Sequence, residues 1–271
     1  MKELTFKPGK TLVCGILNVT PDSFSDGGKW KGTDSAVLHA LEMQAQGADM
    51  IDIGGESSRP GSEPVGLEEE AARVIPVLEA LAGKLNVPVS VDTCKPALAR
   101  LAVKAGADII NDIAGFSDPA MIEAAASTGA GAIAMHMKGE PRTMQADPVY
   151  KDVTAEVKEY LAGRAAALKA AGVKNIMLDP GIGFGKTLVH NLELIARLDE
   201  VRALGYPLFL GVSRKNFIGR LAGGGPEDRL AGTIAACVMC AERGADVVRV
   251  HDVAECRRAM LVADAIRAER R

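Results

Sequence analysis

Residues 18–26, Asn-Val-Thr-Pro-Asp-Ser-Phe-Ser-Asp, set an amide, hydroxyls and two carboxylates directly after an apolar run. Taken alone, Ser, Asp and Pro in such density describe an ordinary surface loop. The pattern recurs, however. Further apolar runs end in Glu56-Ser57-Ser58-Arg59, Asp92, Asn111-Asp112, His136, Asp179, Ser213-Arg214-Lys215 and Arg249-Val250-His251-Asp252. An unpaired carboxylate or amide at the end of an apolar run is costly, so Asp92, Asn111 and Asp179 need partners or a ligand. Asp92 and Asp112 have a simpler alternative, which is to cap the helices that follow them. Asp92, Asn111, Asp179 and Lys215 together offer acceptors, an amide and a cation, which suits a flat heterocycle with amino and lactam edges. Asn18, Arg249 and His251, with Ser58 and Arg59, offer donors suited to a phosphate-type anion. No Ser–His–Asp order suggests an activated nucleophile, and His39, His136 and His190 lack metal-ligand spacing.

These residues need a scaffold that brings strand ends together. Strand-like runs are expected at 12–19, 50–54, 87–92, 109–113, 132–136, 176–179, 208–212 and 247–250. Amphipathic helical patterns follow at 35–46, 67–81, 96–105, 119–127, 153–171, 192–203, 227–243 and 254–267. Pro96 and Pro119 open helices, and Gly47, Gly106, Gly129, Gly172, Gly205 and Gly244 stand just past helix ends. The phrase Gly-Ala-Asp recurs at Gly47, Gly106 and Gly244, each time between a helix stop and the next strand. Eight uninterrupted β/α units with no linker predict an α/β fold, a closed (β/α)8 barrel forming a single domain over residues 1–271. An open α/β sheet of six to eight strands is the alternative. Either way, function belongs at the carboxyl ends of the strands.

Composition agrees. The chain is 48% apolar but only 4% aromatic, which supplies the aliphatic core of a helix-covered parallel sheet. A net charge of −3 with interspersed signs leaves no basic footprint for nucleic acid. The apolar runs are strand-sized, so no membrane span is expected, and Met1 leads into charged residues unlike a signal peptide. The five cysteines are scattered. Cys237 and Cys240 have CxxC spacing but fall within a helical pattern, so they are expected to be buried thiols. The expectation is a reduced, cytoplasmic protein.

The run Asp179-Pro-Gly-Ile-Gly-Phe-Gly-Lys-Thr imitates a phosphate-cradling loop at its end, but Pro180 stands where the first glycine should be. It reads as a glycine-rich loop that lets backbone approach a flat ligand. With that, the chain as a whole resembles dihydropteroate synthase. The likeness rests on Gly-Ile-Leu-Asn-Val-Thr-Pro-Asp-Ser-Phe-Ser-Asp-Gly-Gly at 15–28, Gly-Ala-Asp-Met-Ile-Asp-Ile-Gly-Gly-Glu-Ser-Ser-Arg-Pro-Gly at 47–61, the run from Asp179, Ser213-Arg-Lys215 and Arg249-Val-His251.

The resemblance implies a TIM barrel, usually a homodimer. The activity it implies joins 7,8-dihydropterin-6-ylmethyl diphosphate to 4-aminobenzoate, releasing pyrophosphate, with Mg2+. It puts Asn18 against Mg2+ and the diphosphate. Asp92, Asn111, Asp179 and Lys215 would surround the pterin ring, and Met135 would pack on it. Ser58 would keep a diphosphate-contacting hydroxyl where relatives usually carry threonine. Arg249 and His251 would hold the diphosphate, with Arg249 also over the pterin face. Phe24 and Asp26 in the first loop, and Arg59 and Pro60 in the second, would close over the aminobenzoate. Asn216 departs from the serine common at the position thought to receive the aminobenzoate carboxylate; its amide and backbone N–H can still donate. From composition of the first loop, residues 23–30 are expected to be flexible without ligand. Two rivals remain: a pterin-binding methyltransferase domain using methyltetrahydrofolate, which would not need the diphosphate donors, and a non-catalytic pterin-binding subunit, in which both loops would be degraded.

Overall fold

The computed structural model of the chain describes residues 1–20, 28–57 and 61–269, with only the backbone of residues 28–31. Eight strands form one parallel sheet in the order β6-β5-β4-β3-β2-β1-β8-β7. They are β1 (Leu12–Asn18), β2 (Met50–Gly54), β3 (Val89–Asp92), β4 (Ile109–Asp112), β5 (Gly131–Met135), β6 (Ile176–Asp179), β7 (Phe209–Gly211) and β8 (Val247–Val250). Sequence order is kept around the ring. A parallel bridge between Leu178 and Leu208, with Leu178 N–H donating to the Pro207 carbonyl at 3.0 Å, joins the two outer strands. The sheet is therefore a (β/α)8 barrel and not the open alternative.

Helices cover the outside: α1 (Gly28–Ala45), α2 (Leu67–Leu81), α3 (Pro96–Lys104), α4 (Pro119–Thr128), α5 (Val153–Ala170), α6 (Leu188–Ala196), α7 (Leu198–Arg202), α8 (Asn216–Ala222), α9 (Leu230–Glu242) and α10 (Val253–Ala268). Apolar side chains alternate along each strand. One set, including Val13, Ile51, Val91, Ile110 and Val248, packs with the helices in the larger core. The other set faces inward, where Leu12, Cys14, Met50, Ile109, Ile133, Met177, Phe209 and Val247 make a compact cluster. Two residues further along the same parity stand Asp52, Asn111, Met135, Asp179, Gly211 and Arg249. An apolar plug thus closes the barrel below, and the polar side chains sit directly above it.

The repeated Gly-Ala-Asp phrase has a single structural meaning. Gly47, Gly106 and Gly244 have φ of 99°, 117° and 98°, the left-handed region in which glycine ends a helix without steric cost. The following aspartates then accept the backbone N–H at the start of a neighbouring strand: Asp49 from Val13 at 3.0 Å, Asp108 from Val89 at 3.0 Å and Asp246 from Leu208 at 2.8 Å. Each carboxylate fastens two adjacent strands at the bottom of the barrel.

Several boundaries differ from expectation for local reasons. Helix α1 begins at Gly28, so residues 28–30 belong to its first turn and not to the preceding loop. Strand β3 starts at Val89 because Pro88 has no N–H to give. The helix expected over 192–203 is two. Thr187 accepts the His190 N–H at 3.2 Å and starts α6 early, and Arg197 breaks the run while bonding to Glu193, Glu200 and Asp152. Helix α8 is too short to display a period in the sequence; it buries only Phe217 and Ile218. Cys237 and Cys240 are buried on α9 as expected, and the cysteines are free thiols.

Candidate active site

The in-register strands set the spacing of the polar groups. Gly54 pairs with Asp92, Asp92 with Asn111, Met135 with Asp179, and Gly211 with Arg249. Their side chains consequently converge on one mouth of the barrel. At its centre is Arg249. Its Nε donates to Asp52 Oδ2 at 2.6 Å and one terminal nitrogen donates to Asp92 Oδ2 at 3.0 Å. Asn111 Nδ2 donates to the same Asp52 oxygen at 3.1 Å, and Ser90 donates to the other. Burial opposes the guanidinium charge, but Asp52 and Asp92 outweigh it and hold Arg249 firmly protonated.

Asp92 therefore does not cap the following helix. Burial, reinforced by the negative charge of Asp52, raises its carboxyl to about 7 against the pull of Arg249. Asp112 instead turns its carboxylate back on its own loop, accepting from Ala114 N–H at 2.8 Å and Phe116 N–H at 2.7 Å. Burial nonetheless raises it to about 6.

Across the mouth, Asp179 accepts the Gly181 N–H at 2.7 Å. Burial raises its carboxyl to about 6, while that hydrogen bond and the Lys215 ammonium pull it down. Lys215 is lowered to about 8 by burial and by Arg249, with Asp179 opposing. Its Nζ lies 4.0 Å above the Phe184 ring centroid. Met135 and Phe184 form a small apolar cluster with Met144, packed on by Ile113. The mouth thus gathers an apolar patch, the carboxylates of Asp52, Asp92 and Asp179, the Asn111 amide and two cations.

The Ser213-Arg214-Lys215 turn divides its labour. Ser213 Oγ lies 3.0 Å from His251 Nδ1 and also accepts the His251 N–H at 3.2 Å. Arg214 takes a left-handed φ of 55°, uncommon for a side chain with a Cβ, and donates through Nε to Asp252 at 3.0 Å. That bend turns the chain so that Lys215 enters the site immediately before α8. Asn216 is the exposed first residue of α8, and Asn18 is the partly exposed last residue of β1.

At the base of the second loop, Lys95 bridges Glu56 and Glu70, and Glu56 accepts the Val65 N–H at 3.1 Å. A cavity of about 310 Å3 opens beside Asp92 between these loops, reaching Thr93, Ile113 and Pro141.

Residues 14–251 match the family model described as pterin binding enzyme. The dihydropteroate synthase of Escherichia coli (strain K12) is 51% identical over 255 residues, 93% of this chain and 90% of that one. The chain belongs to the dihydropteroate synthase family. Among solved structures, a Xanthomonas albilineans dihydropteroate synthase with 4-aminobenzoic acid superposes with a TM-score of 0.90 at 45% identity, covering 96% of this chain and 94% of that one. A Burkholderia cenocepacia dihydropteroate synthase complexed with 7,8-dihydropteroate gives a TM-score of 0.86 at 49% identity, covering 96% and 92%.

Of the residues singled out from the sequence, the structure brings Asp92, Asn111, Met135, Asp179, Lys215, Arg249 and, through Ser213, His251 to one end of the barrel. Phe24, Asp26, Ser58, Arg59 and Pro60 lie outside the described residues. Asp52 was missed, although it interrupts the apolar run Met-Ile-Asp-Ile with the inward parity of Gly54. The glycine-rich loop also differs from expectation. A Cβ on Gly181 would stand 1.9 Å from the His136 carbonyl oxygen, and one on Gly185 would stand 2.1 Å from that of Lys138. These glycines let two stretches of backbone meet each other, and Gly183 alone faces Lys215.

Proposed function

We propose that this chain is a dihydropteroate synthase whose mouth at the carboxyl ends of the strands binds 7,8-dihydropterin-6-ylmethyl diphosphate and 4-aminobenzoate. The observation that carries the reading is the gathering of Asp179, Lys215 and Asn111 at one mouth of the barrel, above an apolar floor and with Met135 and Phe184. An aminopyrimidinone ring offers N–H donors to a carboxylate and a carbonyl acceptor to a cation or amide, and its flat faces suit the apolar wall.

In this reading Asp179 accepts from the amino and ring N–H groups, Asn111 reads the opposite edge, and Lys215 donates to a ring acceptor. Asp92 and Asp179 set negative charge beside the carbon that becomes electron-poor. The C–O bond between the pterin methylene and the diphosphate breaks, and its electron pair leaves with pyrophosphate. The arylamine lone pair forms the new C–N bond, and the nitrogen then loses a proton to water. The nucleophile is neutral and the leaving group is stable as an anion. Positioning and electrostatics can therefore carry the step without an activated nucleophile.

Asn18, His251 and the free N–H groups of Arg249 are the donors for the diphosphate in this assignment. Mg2+ usually takes one or two protein oxygens and completes its shell with phosphate and water. The Asn18 amide oxygen at the strand end fits that pattern. Among the described residues, no group of three or more His, Cys, Asp or Glu could hold a metal unaided. When bound, the ion would neutralise the departing diphosphate. Asn216, with Arg59 and Pro60, is assigned to the aminobenzoate end. A homodimer is part of the proposal, supported by exposed Met239, Leu261, Val262 and Ile266 on α9 and α10. No described helix is long and apolar enough to cross a membrane, and a cytoplasmic location is proposed. The test mixes the protein with the pterin diphosphate, Mg2+ and 4-aminobenzoate and measures pyrophosphate and dihydropteroate. Absence of both products refutes the activity, and light scattering tests the dimer.

A further inference from the structure

One buried cation has no part in the reaction as described. Lys186 closes the glycine-rich loop after β6 and is only 2% exposed. Its Nζ lies 2.9 Å from the Gly181 carbonyl oxygen, 3.0 Å from that of Phe184 and 2.9 Å from His136 Nδ1. The His136 carbonyl oxygen stands at 3.4 Å. An ammonium can donate to all three close partners when the His136 ring carries its proton on Nε2. Burial and the adjacent Lys186 charge push the His136 ring down to about 3, so the ring is neutral, and the Nε2–H tautomer leaves Nδ1 to accept from the Lys186 ammonium.

The loop gathered around this ammonium supports the pterin site at both ends. Gly181 donates its N–H to Asp179, and Phe184 lies beneath the Lys215 ammonium. Between them, Gly183 N–H donates to Asn191 at 2.6 Å and its carbonyl accepts from Gln145 at 2.6 Å. We infer that Lys186 is a positioning residue for pterin binding. Its ammonium draws the loop over residues 180–185 onto the end of β5, thereby fixing Asp179 and Phe184, and it adds a positive charge behind Asp179 to those of Lys215 and Arg249.

The charges that face Lys186 are Asp179 from β6, Lys215 from the turn before α8 and Lys138 from the loop after β5. Asp179 favours the ammonium, while burial and the two lysines oppose it, bringing Lys186 down to about 7. The same Coulomb interaction lowers the Asp179 carboxyl. Removing Lys186 must raise that carboxyl, so the defect grows as pH falls toward the range in which Asp179 titrates.

The inference rests on the pterin-binding reading, and calorimetry with 6-hydroxymethylpterin separates the two. Failure of the unaltered protein to bind overturns that reading and this inference with it. If it binds, Lys186→Met is expected to keep the circular dichroism spectrum and to lose affinity about tenfold or more at pH 6.5. The loss should shrink at pH 8.5. Unchanged affinity overturns the inference, and so does a loss that is equal at both pH values, because a purely structural peg would not shift the titration of Asp179. Should Lys186→Met fail to fold, His136→Phe removes one acceptor while keeping the ring shape. It should show the same pH-dependent loss to a smaller degree, and a flat response overturns the inference.

Discussion

Replacing Arg249 with methionine should destabilise the fold in a strongly pH-dependent way. The side chain is 19% exposed and pairs with Asp52, at 0%, and Asp92, at 14%. Methionine fills a similar volume but leaves two facing carboxylates without their shared cation. Breaking a buried pair in this manner typically costs about 3–5 kcal/mol, because the remaining charge is buried and uncompensated. One offset reduces the loss. Arg249 depresses the Lys215 ammonium, so its removal lets Lys215 keep a proton near the same carboxylates, and the lower end, about 3 kcal/mol, is expected.

The sign with pH follows from Asp92. Its folded-state carboxyl already lies at about 7, well above the ordinary value near 3.9. A carboxyl raised on folding favours the native state when protonated, and that advantage is lost as pH rises from about 4 through its folded value. Without Arg249 the carboxyl rises further. The penalty should therefore be small near pH 5, where Asp92 can hold a proton, and grow as pH rises past 7 to 8 and above. Thermal denaturation of both proteins at these two pH values measures it. For a chain of this size, 3 kcal/mol corresponds to roughly 6–12 °C in Tm. Arg249→Lys, which keeps a charge, should recover most of the loss at pH 8. A penalty under about 1 kcal/mol at pH 8, or one equal at both pH values, would refute the ion-pair reasoning.

Asp179→Asn and Lys215→Ala should each weaken calorimetric binding of 6-hydroxymethylpterin by about 1.5–3 kcal/mol, the worth of a charged hydrogen bond; unchanged affinity in both would take them out of the pocket. Asn18→Ala should weaken binding of the pterin diphosphate in Mg2+ far more than binding of the bare pterin, and equal losses would contradict its assignment to the diphosphate end. If the diphosphate leaves before the amine attacks, 4-aminobenzoate should bind tightly only with pterin, Mg2+ and pyrophosphate present. Fluorescence of Trp30, the only tryptophan, reports that titration, and equal affinities with and without pyrophosphate would show a preformed amine site. Gly181→Ala should lower folded yield sharply, since its Cβ would strike the His136 carbonyl from a left-handed φ of 69°; a normal yield with unchanged denaturation would mean that the loop can shift away.

Much of this protein is decided along the chain itself. Alternating apolar runs and helical patterns specify eight β/α units, because burial of a strand on both faces and of a helix on one leaves different periods in sequence. Gly47, Gly106 and Gly244 with their following aspartates act within a few residues and across one strand, so their meaning is nearly local. Asp92, Asn111, Asp179 and Lys215 were legible as polar groups gathered at the strand ends, because polar groups closing apolar runs must answer to something. Who partners whom was not legible. Asp52 and Arg249 lie 197 positions apart, and they meet only because β1 stands between β2 and β8 in a closed ring. The choice of Asp92 to pair with Arg249 while Asp112 caps its own loop is likewise decided by inward or outward parity once the strands are in register. The same holds for Lys186, whose local sequence imitates a phosphate loop. Its burial against His136 exists only because β5 and β6 pair in register and bring the loop after β6 onto the end of β5, where a charge must find acceptors or be expelled.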